Sequence, residues 1–208
     1  MPSSDYARNV FINCPYDEDY KGLMDAIIFT IIVLGYAPRL ALESSDSAQN
    51  RIDRIIRLIE ESQFSIHDLS RMVSKKSDEI FRLNMSLELG IDFGCVKLLP
   101  DRFSDKKLLV LDKEQYRFQQ AVSDLSGIDI KAHNNNGAKI IECVRNWFAE
   151  TVGVRHAPSA EKLYSQYTDE FQVFLLEQAK ILGFNESNYI NGITTPEYID
   201  FVREWINR

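Results

Sequence analysis

Cysteine is scarce: the 208 residues include only Cys14, Cys95 and Cys143. The number is odd, and no two of them have the CxxC or Cys/His spacing of a zinc site. The three histidines also lie far apart in the sequence. We therefore predict neither a disulfide framework nor a metal site, and we expect a reducing, cytoplasmic compartment.

An excess of positive charge and a long apolar run are also missing. The 24 Lys and Arg residues stand against 31 Asp and Glu, so the formal net charge is −7 and no general positive field would attract a nucleic-acid backbone. The longest apolar stretch, residues 26–36, is too short to span a bilayer, and residues 1–9 carry no apolar signal core. We expect a soluble protein that binds neither nucleic acid nor membrane.

The glycine-rich motifs of common nucleotide enzymes are absent. Neither GxGxxG nor GxxxxGK[ST] occurs, which disfavours a standard dinucleotide oxidoreductase and a P-loop ATPase. No GxSxG elbow supports Ser/His/Asp catalysis. The composition, 45% hydrophobic and 26% charged, is that of an ordinary folded protein with a sizeable core.

Short apolar segments alternate with helical patterns along the first three quarters of the chain. The predicted strands are residues 9–13, 38–42, 63–67, 107–111 and 128–131. The predicted helices are residues 20–34, 48–61, 81–94, 139–150 and, from a weaker pattern, 115–122. This alternation predicts an α/β fold with a doubly wound parallel sheet of about five strands.

Beyond Gly153 the pattern is helical only. Residues 160–182 and 196–207 have helical spacing, Gly183 is a predicted C-cap, and Thr195-Pro196 is a predicted helix start. We therefore predict two parts, an α/β domain of residues 1–153 and a helical C-terminal extension of residues 154–208.

Polar residues follow the first three predicted strands. In a sheet of order 2-1-3-4-5, ligands bind at the carboxyl ends of strands one and three, which selects the loops 13–20 and 68–71. The second strand ends nearby. The candidate ligand-binding residues are Asn13, Cys14, Tyr16, Asp17, Tyr20, Glu43, Asp46, Asp68, Ser70, Arg71 and Asn84. For Asp17, Asp46 and Asp68 the alternative is a purely local role in turns and helix caps.

Glu88 is the candidate catalytic residue. Asn84 and Glu88 are four residues apart and share a face of the predicted third helix, beside an apolar row of Leu83, Leu87 and Ile91. A carboxylate against such a face would be desolvated, and it could act as a nucleophile or stabilise an oxocarbenium cation when a glycosidic bond breaks. The alternative is a solvated surface glutamate.

Several motifs resemble those of Toll/interleukin-1 receptor (TIR) domains. Val10-Phe11-Ile12-Asn13 followed by Cys14-Pro15-Tyr16-Asp17 resembles the opening strand and loop of that family. Asn84-x-x-x-Glu88-Leu89-Gly90 resembles the glutamate helix shared by TIR domains and nucleoside 2-deoxyribosyltransferases. With residues 41–46 (ALESSD) and 66–71 (IHDLSR), these motifs look like a bacterial TIR-like family over about residues 9–150.

The resemblance implies a flavodoxin-like sheet and, in catalytically active relatives, cleavage of the nicotinamide–ribose bond of NAD by Glu88. NAD would then be the substrate, and no cofactor is expected. The implied setting is antiphage defence, by NAD depletion or by a cyclic or modified ADP-ribose signal. The implied partners are further copies of the chain or another defence protein.

Three hypotheses follow. In the first, the chain is an NAD-cleaving N-glycosidase: Glu88 stabilises or traps the ribosyl cation, Asn84 and Asp68 orient ribose hydroxyls, and loop 13–20 holds the phosphates or ribose. In the second, it is a TIR-like module that senses a nucleotide or assembles with other chains without chemistry. In the third, it acts on another nucleoside or nucleotide, as a deoxyribosyltransferase-like enzyme does.

Overall fold

The computed structural model describes residues 5–71, 83–117, 127–185 and 188–208. The chain forms two compact units. The first, which we call the sheet unit, comprises residues 1–15 and 37–135; the second, the helical unit, comprises residues 16–36 and 136–208. The part of the predicted loop beyond Arg71, the first residues of the predicted helix 81–94 and most of the predicted helix 115–122 lie outside the described residues.

The strands of the described residues all belong to the sheet unit. They are β1 (Asn9–Asn13), β2 (Ala37–Arg39), β3 (Phe64–Asp68), β4 (Lys107–Asp112) and β5 (Ile130–Ala132). Every pairing is parallel and the order is β2-β1-β3-β4-β5. The predicted α/β fold class is confirmed, with the flavodoxin-like strand order and helices at the C-terminal end.

The helices in chain order are α1 (Glu18–Val33), α2 (Arg51–Glu60), α3 (Asn84–Leu98), α4 (Pro100–Phe103), α5 (Gly137–Trp147), α6 (Ala160–Ser165), α7 (Gln172–Ile181), α8 (Tyr189–Gly192) and α9 (Thr195–Ile206). Helical π turns continue α5 through Val152 and join α6 to α7. The predicted C-terminal helices are thus present. The short helices α4 and α8 were not predicted, because four residues are too few for a periodic pattern.

The predicted start of α2 is three residues too early. The side chain of Asp46 accepts the backbone N–H of Ala48 at 3.0 Å, which holds this segment as a turn. The side chain of Asn50 then accepts the N–H of Ile52 at 3.0 Å and caps the helix. Local side-chain bonds therefore place the helix start at Arg51.

Two of the three residues of the apolar row predicted for α3 are exposed, and only Ile91 lies against the core. Leu83 is 60% exposed and Leu87 is 56% exposed, whereas Met85 and Leu89 are buried. The latter two pack with apolar residues of the sheet and its loops, namely Leu69, Val110 and Ile130. The helix turns this second apolar row inward, and the inward face also carries Glu88.

The other part of the core of the sheet unit lies between β1 and α2. Phe11 of β1 packs with Ile55, Leu58 and Ile59 of α2, and Ile91 of α3 lies against this cluster. Helices α2 and α3 therefore share the face of the sheet that carries Phe11. Both β1 and β3 are buried at every residue, as their apolar character predicts.

In the helical unit, aromatic side chains join α1 to the C-terminal helices. The ring of Phe29 lies 5.3 Å from the rings of Tyr167 and Phe171 and 5.4 Å from that of Trp205. The hydroxyl of Tyr198 donates to the backbone oxygen of Asp25 at 3.1 Å. The boundary at residue 153 stays a prediction. None of the helices in the described ranges has the length and hydropathy needed to cross a membrane.

Candidate active site

The start of α3 lies at the carboxyl edge of the sheet. Asn13 is the last residue of β1, and its side-chain Nδ2 donates to the backbone oxygen of Met85 at 2.8 Å. This bond joins the end of β1 to the first turn of α3. Glu88 follows Met85 by one turn and lies on the same buried face.

Glu88 is a buried carboxyl group. It is only 5% exposed, and burial raises its pKa to about 7, although the positive charge of Arg51 acts in the opposite direction. No side chain or N–H in the described part of the chain donates a hydrogen bond to its carboxylate. Burial without a donor disfavours the ionised form, which is why the pKa of this carboxyl lies above its ordinary value.

Arg51 is the charged neighbour of this carboxyl. It is the first residue of α2, where the helix dipole favours negative charge, and its side chain is exposed. Its guanidinium holds the pKa of Glu88 below the value that burial alone would produce. The buried carboxyl of Glu88 thus lies near the exposed guanidinium of Arg51.

A chain of buried polar groups lies beneath α3, and we call it the α3 clamp: Asn13, His67, Asp92 and Lys106. Nδ2 of Asn13 donates to Nδ1 of His67 at 3.0 Å, so the ring proton of a neutral His67 is on Nε2. That nitrogen lies 3.0 Å from Oδ2 of Asp92. Oδ1 of Asp92 lies 3.2 Å from Nζ of Lys106.

The charges of the α3 clamp compensate one another. Burial alone would raise the pKa of Asp92, but the hydrogen bond from His67 and the positive charge of Lys106 lower it. Burial lowers the pKa of Lys106, and Asp92 opposes that effect. Nζ of Lys106 also donates to the backbone oxygens of Ile59, at 2.8 Å, and Ser62. Oδ1 of Asp92 makes no hydrogen bond, so its contact with Lys106 is an ion pair only.

Asp68 and Ser70 form a different buried cluster with His133. Asp68 accepts from the N–H of Ser70 at 2.9 Å and from its hydroxyl, and its other oxygen lies 3.0 Å from Nε2 of His133. Oγ of Ser70 lies 2.7 Å from the same nitrogen. Since Nδ1 of His133 accepts the N–H of Asn135, serine and aspartate share one ring nitrogen. A Ser/His/Asp triad needs them on opposite nitrogens, so this cluster is not one.

The loop after β3 is braced from the next strand. Arg117 donates to Asp112 at the end of β4 and to the backbone oxygen of Ser70 at 2.7 Å. Burial raises the pKa of Asp112 although Arg117 opposes this effect. Arg71, which ends this described stretch, is half-buried. These bonds fix the loop that carries Asp68 and Ser70, whose role in binding a ligand stays a prediction.

Three other predicted ligand residues, Asn13, Cys14 and Asn84, lie in the sheet unit. Asn84 is exposed at the start of α3, one turn before Glu88, while Cys14 is buried. Asn13 has already committed its amide group to His67 and Met85. The sheet unit thus brings Asn13 and Asn84 to the same end of α3 as Glu88.

Glu43 and Asp46 make local bonds. Glu43 accepts from Nε of Arg39 at 3.1 Å and from the backbone N–H of Leu40 at 2.7 Å. Asp46 is exposed and accepts the N–H of Ala48. The alternative of a turn role, stated for Asp46, describes its observed contact.

Tyr16, Asp17 and Tyr20 belong to the helical unit. Asp17 precedes α1, and its backbone oxygen accepts the N–H of Tyr20. Tyr20 is fully buried, whereas Tyr16 is half-buried. Their role in binding a ligand stays a prediction.

Sequence reasoning missed Asp92 and Lys106. One signal was available: Asp92 follows Glu88 by four residues, so both acids lie on one helical face together with Met85 and Leu89. No local pattern marks Lys106, because it meets Asp92 only through the fold.

The raised pKa of Glu88 predicts a pH-dependent cost to stability. The folded protein keeps this proton up to about pH 7, whereas the unfolded chain releases it near the ordinary value of 4.5. Ionised Glu88 therefore destabilises the fold increasingly as the pH rises between these values, by about 3 kcal/mol in total. We expect Glu88→Gln to gain that much stability relative to the wild type between pH 4.5 and pH 8, measured by urea unfolding.

The matched control is Glu60→Gln, because Glu60 is partly exposed in a surface ion pair with Arg102. Its effect on the free energy of unfolding should be small at every pH. A Glu88→Gln effect that does not change with pH would show that Glu88 is not desolvated.

Metal binding and known relatives add no further assignment. The described ranges hold no group of three or more His, Cys, Asp or Glu side chains arranged for a metal ion. No protein-family model, no curated protein and no solved structure matches the chain. The TIR-like resemblance therefore rests on the sequence motifs alone.

Proposed function

We propose that this chain is an N-glycosidase that cleaves the nicotinamide–ribose bond of NAD, with Glu88 as the catalytic residue. The observation that carries the proposal is the state of the Glu88 carboxyl: buried, beside Arg51, and without a hydrogen-bond donor in the described residues. The motifs around Asn13 and Glu88 that resemble TIR domains point to the same substrate.

The chemistry needs one carboxylate. Nicotinamide in NAD carries a positive charge and leaves as a neutral base, so its departure needs no general acid. The ribosyl group becomes an oxocarbenium-like cation, which an ionised carboxylate stabilises or traps. In a site shielded from water this attraction is stronger than in solution. Water then yields ADP-ribose, and a nucleophile within the substrate yields a cyclic product.

Asn84 and Arg51 supply the substrate contacts in this proposal. Asn84 is exposed one turn before Glu88 and orients ribose hydroxyls. Arg51 stands at the first turn of α2 and pairs with a phosphate of the dinucleotide. Asp68 has no part, because it is fully buried and bonded to Ser70. Antiphage defence, self-association and a partner defence protein belong to the proposal through the resemblance alone.

The test is incubation of concentrated purified protein with NAD, with and without a crowding agent. Nicotinamide and the ADP-ribose species are then separated by chromatography. We expect nicotinamide release, which should increase with pH through about 7 as Glu88 ionises. A folded protein that binds NAD and releases no nicotinamide would contradict the proposal and favour a nucleotide-sensing module.

Arg51→Gln tests the phosphate contact. Loss of one charge-assisted hydrogen bond should raise the KM for NAD by about tenfold. It should also move the pH dependence of the rate upward, because Arg51 opposes the rise in the pKa of Glu88. Both are measured from initial rates between pH 6 and pH 9.

Arg57→Gln is the control for charge, since Arg57 is exposed in the last turn of the same helix. It should leave the KM and the pH profile unchanged. Equal effects of the two substitutions would show that only the general charge of α2 matters.

A further inference from the structure

The α3 clamp holds α3 at two points, one on each side of Glu88. Toward the start of the helix, Nδ2 of Asn13 bonds to the backbone oxygen of Met85 at 2.8 Å. Toward its end, Asp92 lies 3.0 Å from Nε2 of His67. Met85, Glu88 and Asp92 all lie on the buried face of α3. The two attachment points are therefore three residues before and four residues after the proposed catalytic group.

The clamp is also continuous. The amide of Asn13 bonds to both Met85 and His67, so one side chain at the end of β1 links the first attachment point to the second. Lys106 closes the other end by pairing with Asp92 and with the carbonyl of Ile59 in α2. Strands β1 and β3 and helices α2 and α3 are thus connected by hydrogen bonds and by the ion pair of Asp92 with Lys106.

A contribution to stability does not by itself explain why the α3 clamp is made of buried polar residues. Asn13, His67, Asp92 and Lys106 are each 5% exposed or less. A buried ion pair is costly to desolvate, and well-packed apolar side chains of similar size often stabilise a fold as well or better. Directional bonds, unlike apolar contacts, define the position of a helix along and around its axis. A reacting carboxylate needs its helix to be held in one position, since a displacement of about 1 Å can cost two orders of magnitude in rate.

We propose that Asn13, His67 and Asp92 are positioning residues, which hold α3 so that the Glu88 carboxyl stands at one fixed place against the substrate. This inference rests on the proposed function for its catalytic consequence. Lys106 supplies the charge that keeps Asp92 ionised in the interior. None of the four touches the substrate.

The main test replaces the charged part of the clamp by apolar side chains in the full chain: His67→Met, Asp92→Leu and Lys106→Met together. We measure the urea midpoint, kcat and KM for NAD, and the titration of Glu88 by carbon-13 NMR, with Glu88→Gln to assign its signal. Ser62→Ala is the control, because the buried Ser62 hydroxyl bonds to Leu58 in α2 and not to α3.

We expect the triple variant to keep or raise the urea midpoint, to lose kcat by about tenfold or more and to keep the KM. The Glu88 titration should move from about 7 toward 4.5, because a helix that is no longer held admits water to the carboxyl. The control Ser62→Ala should change neither kcat nor the Glu88 titration. A folded triple variant with unchanged kcat and unchanged Glu88 titration would overturn the inference.

Two further outcomes are also decisive. If the wild type releases no nicotinamide, the proposed function fails, and the Glu88 titration alone then decides whether the clamp positions this carboxyl. If the triple variant does not fold, Asn13→Ser takes its place, since it cuts only the bonds to Met85 and His67. Its kcat and Glu88 titration are interpreted in the same way, against the same control.

Discussion

Glu88→Gln should lower the rate of nicotinamide release from NAD by about a thousandfold or more. The amide has nearly the shape of the acid and no negative charge, so it cannot stabilise or trap the ribosyl cation. The substrate contacts proposed for Arg51 and Asn84 remain, and we expect the KM to change little. Single-turnover and steady-state assays at pH 8 would measure both quantities.

Glu60→Gln is the control here as well, because Glu60 is a surface carboxylate in the same unit. It should retain the full rate. The urea midpoint of Glu88→Gln must be at least that of the wild type at pH 8, as the removal of a desolvated charge requires. A folded Glu88→Gln variant that still releases nicotinamide at the wild-type rate would refute the role of Glu88.

Asp92→Asn should destabilise the protein by about 3 kcal/mol or more. The substitution keeps the shape of the side chain, but it leaves the buried ammonium of Lys106 without its counter-charge. His67 also loses a charged acceptor for its Nε2 proton. Urea unfolding at pH 7 measures the difference in the free energy of unfolding.

The pH dependence of this effect has a defined sign. The pKa of Asp92 is lowered in the folded state, so its contribution is complete above the ordinary aspartate value of 3.8 and is lost as the pH falls below it. The difference between wild type and variant should therefore be constant from pH 5 to pH 8 and shrink in stronger acid.

The controls separate charge pairing from packing. Asp53→Asn, on the exposed face of α2, should change stability by less than about 0.5 kcal/mol. Asp92→Leu combined with Lys106→Met should recover most of the lost stability, since no unpaired charge remains. An Asp92→Asn variant as stable as the wild type would show that the ion pair with Lys106 contributes nothing.

The site was predictable where it depends on one helix and not where it depends on several elements. Glu88 could be selected as the candidate residue because Asn84 and Glu88 share a face within a recognisable motif. The direction of that face was ambiguous, since α3 carries two apolar rows and a helical pattern alone does not say which one meets the sheet. The packing of Met85 and Leu89 decides it.

Two predicted ligand residues, Glu43 and Asp46, make short-range side-chain bonds. Glu43 caps the N–H of Leu40, and Asp46 closes a turn on Ala48. The same polar residue types occur in turns, helix caps and binding loops, because the groups that cap backbone N–H donors also bind ligands. For Asp46 the sequence left a binding role and a turn role open, and the bond that the structure shows is the local one.

The sequence by itself determined the alternation of strands and helices, the burial of β1 and β3 and the helical C-terminal end, because hydrophobic periodicity and turn residues act over a few neighbours. The tertiary structure decided which face of α3 is buried and joined Asn13, His67, Asp92 and Lys106 into one network. These four residues come from distant parts of the chain. Their contacts depend on the strand order and on the rotation of α3 against the sheet, and no local pattern encodes either of these.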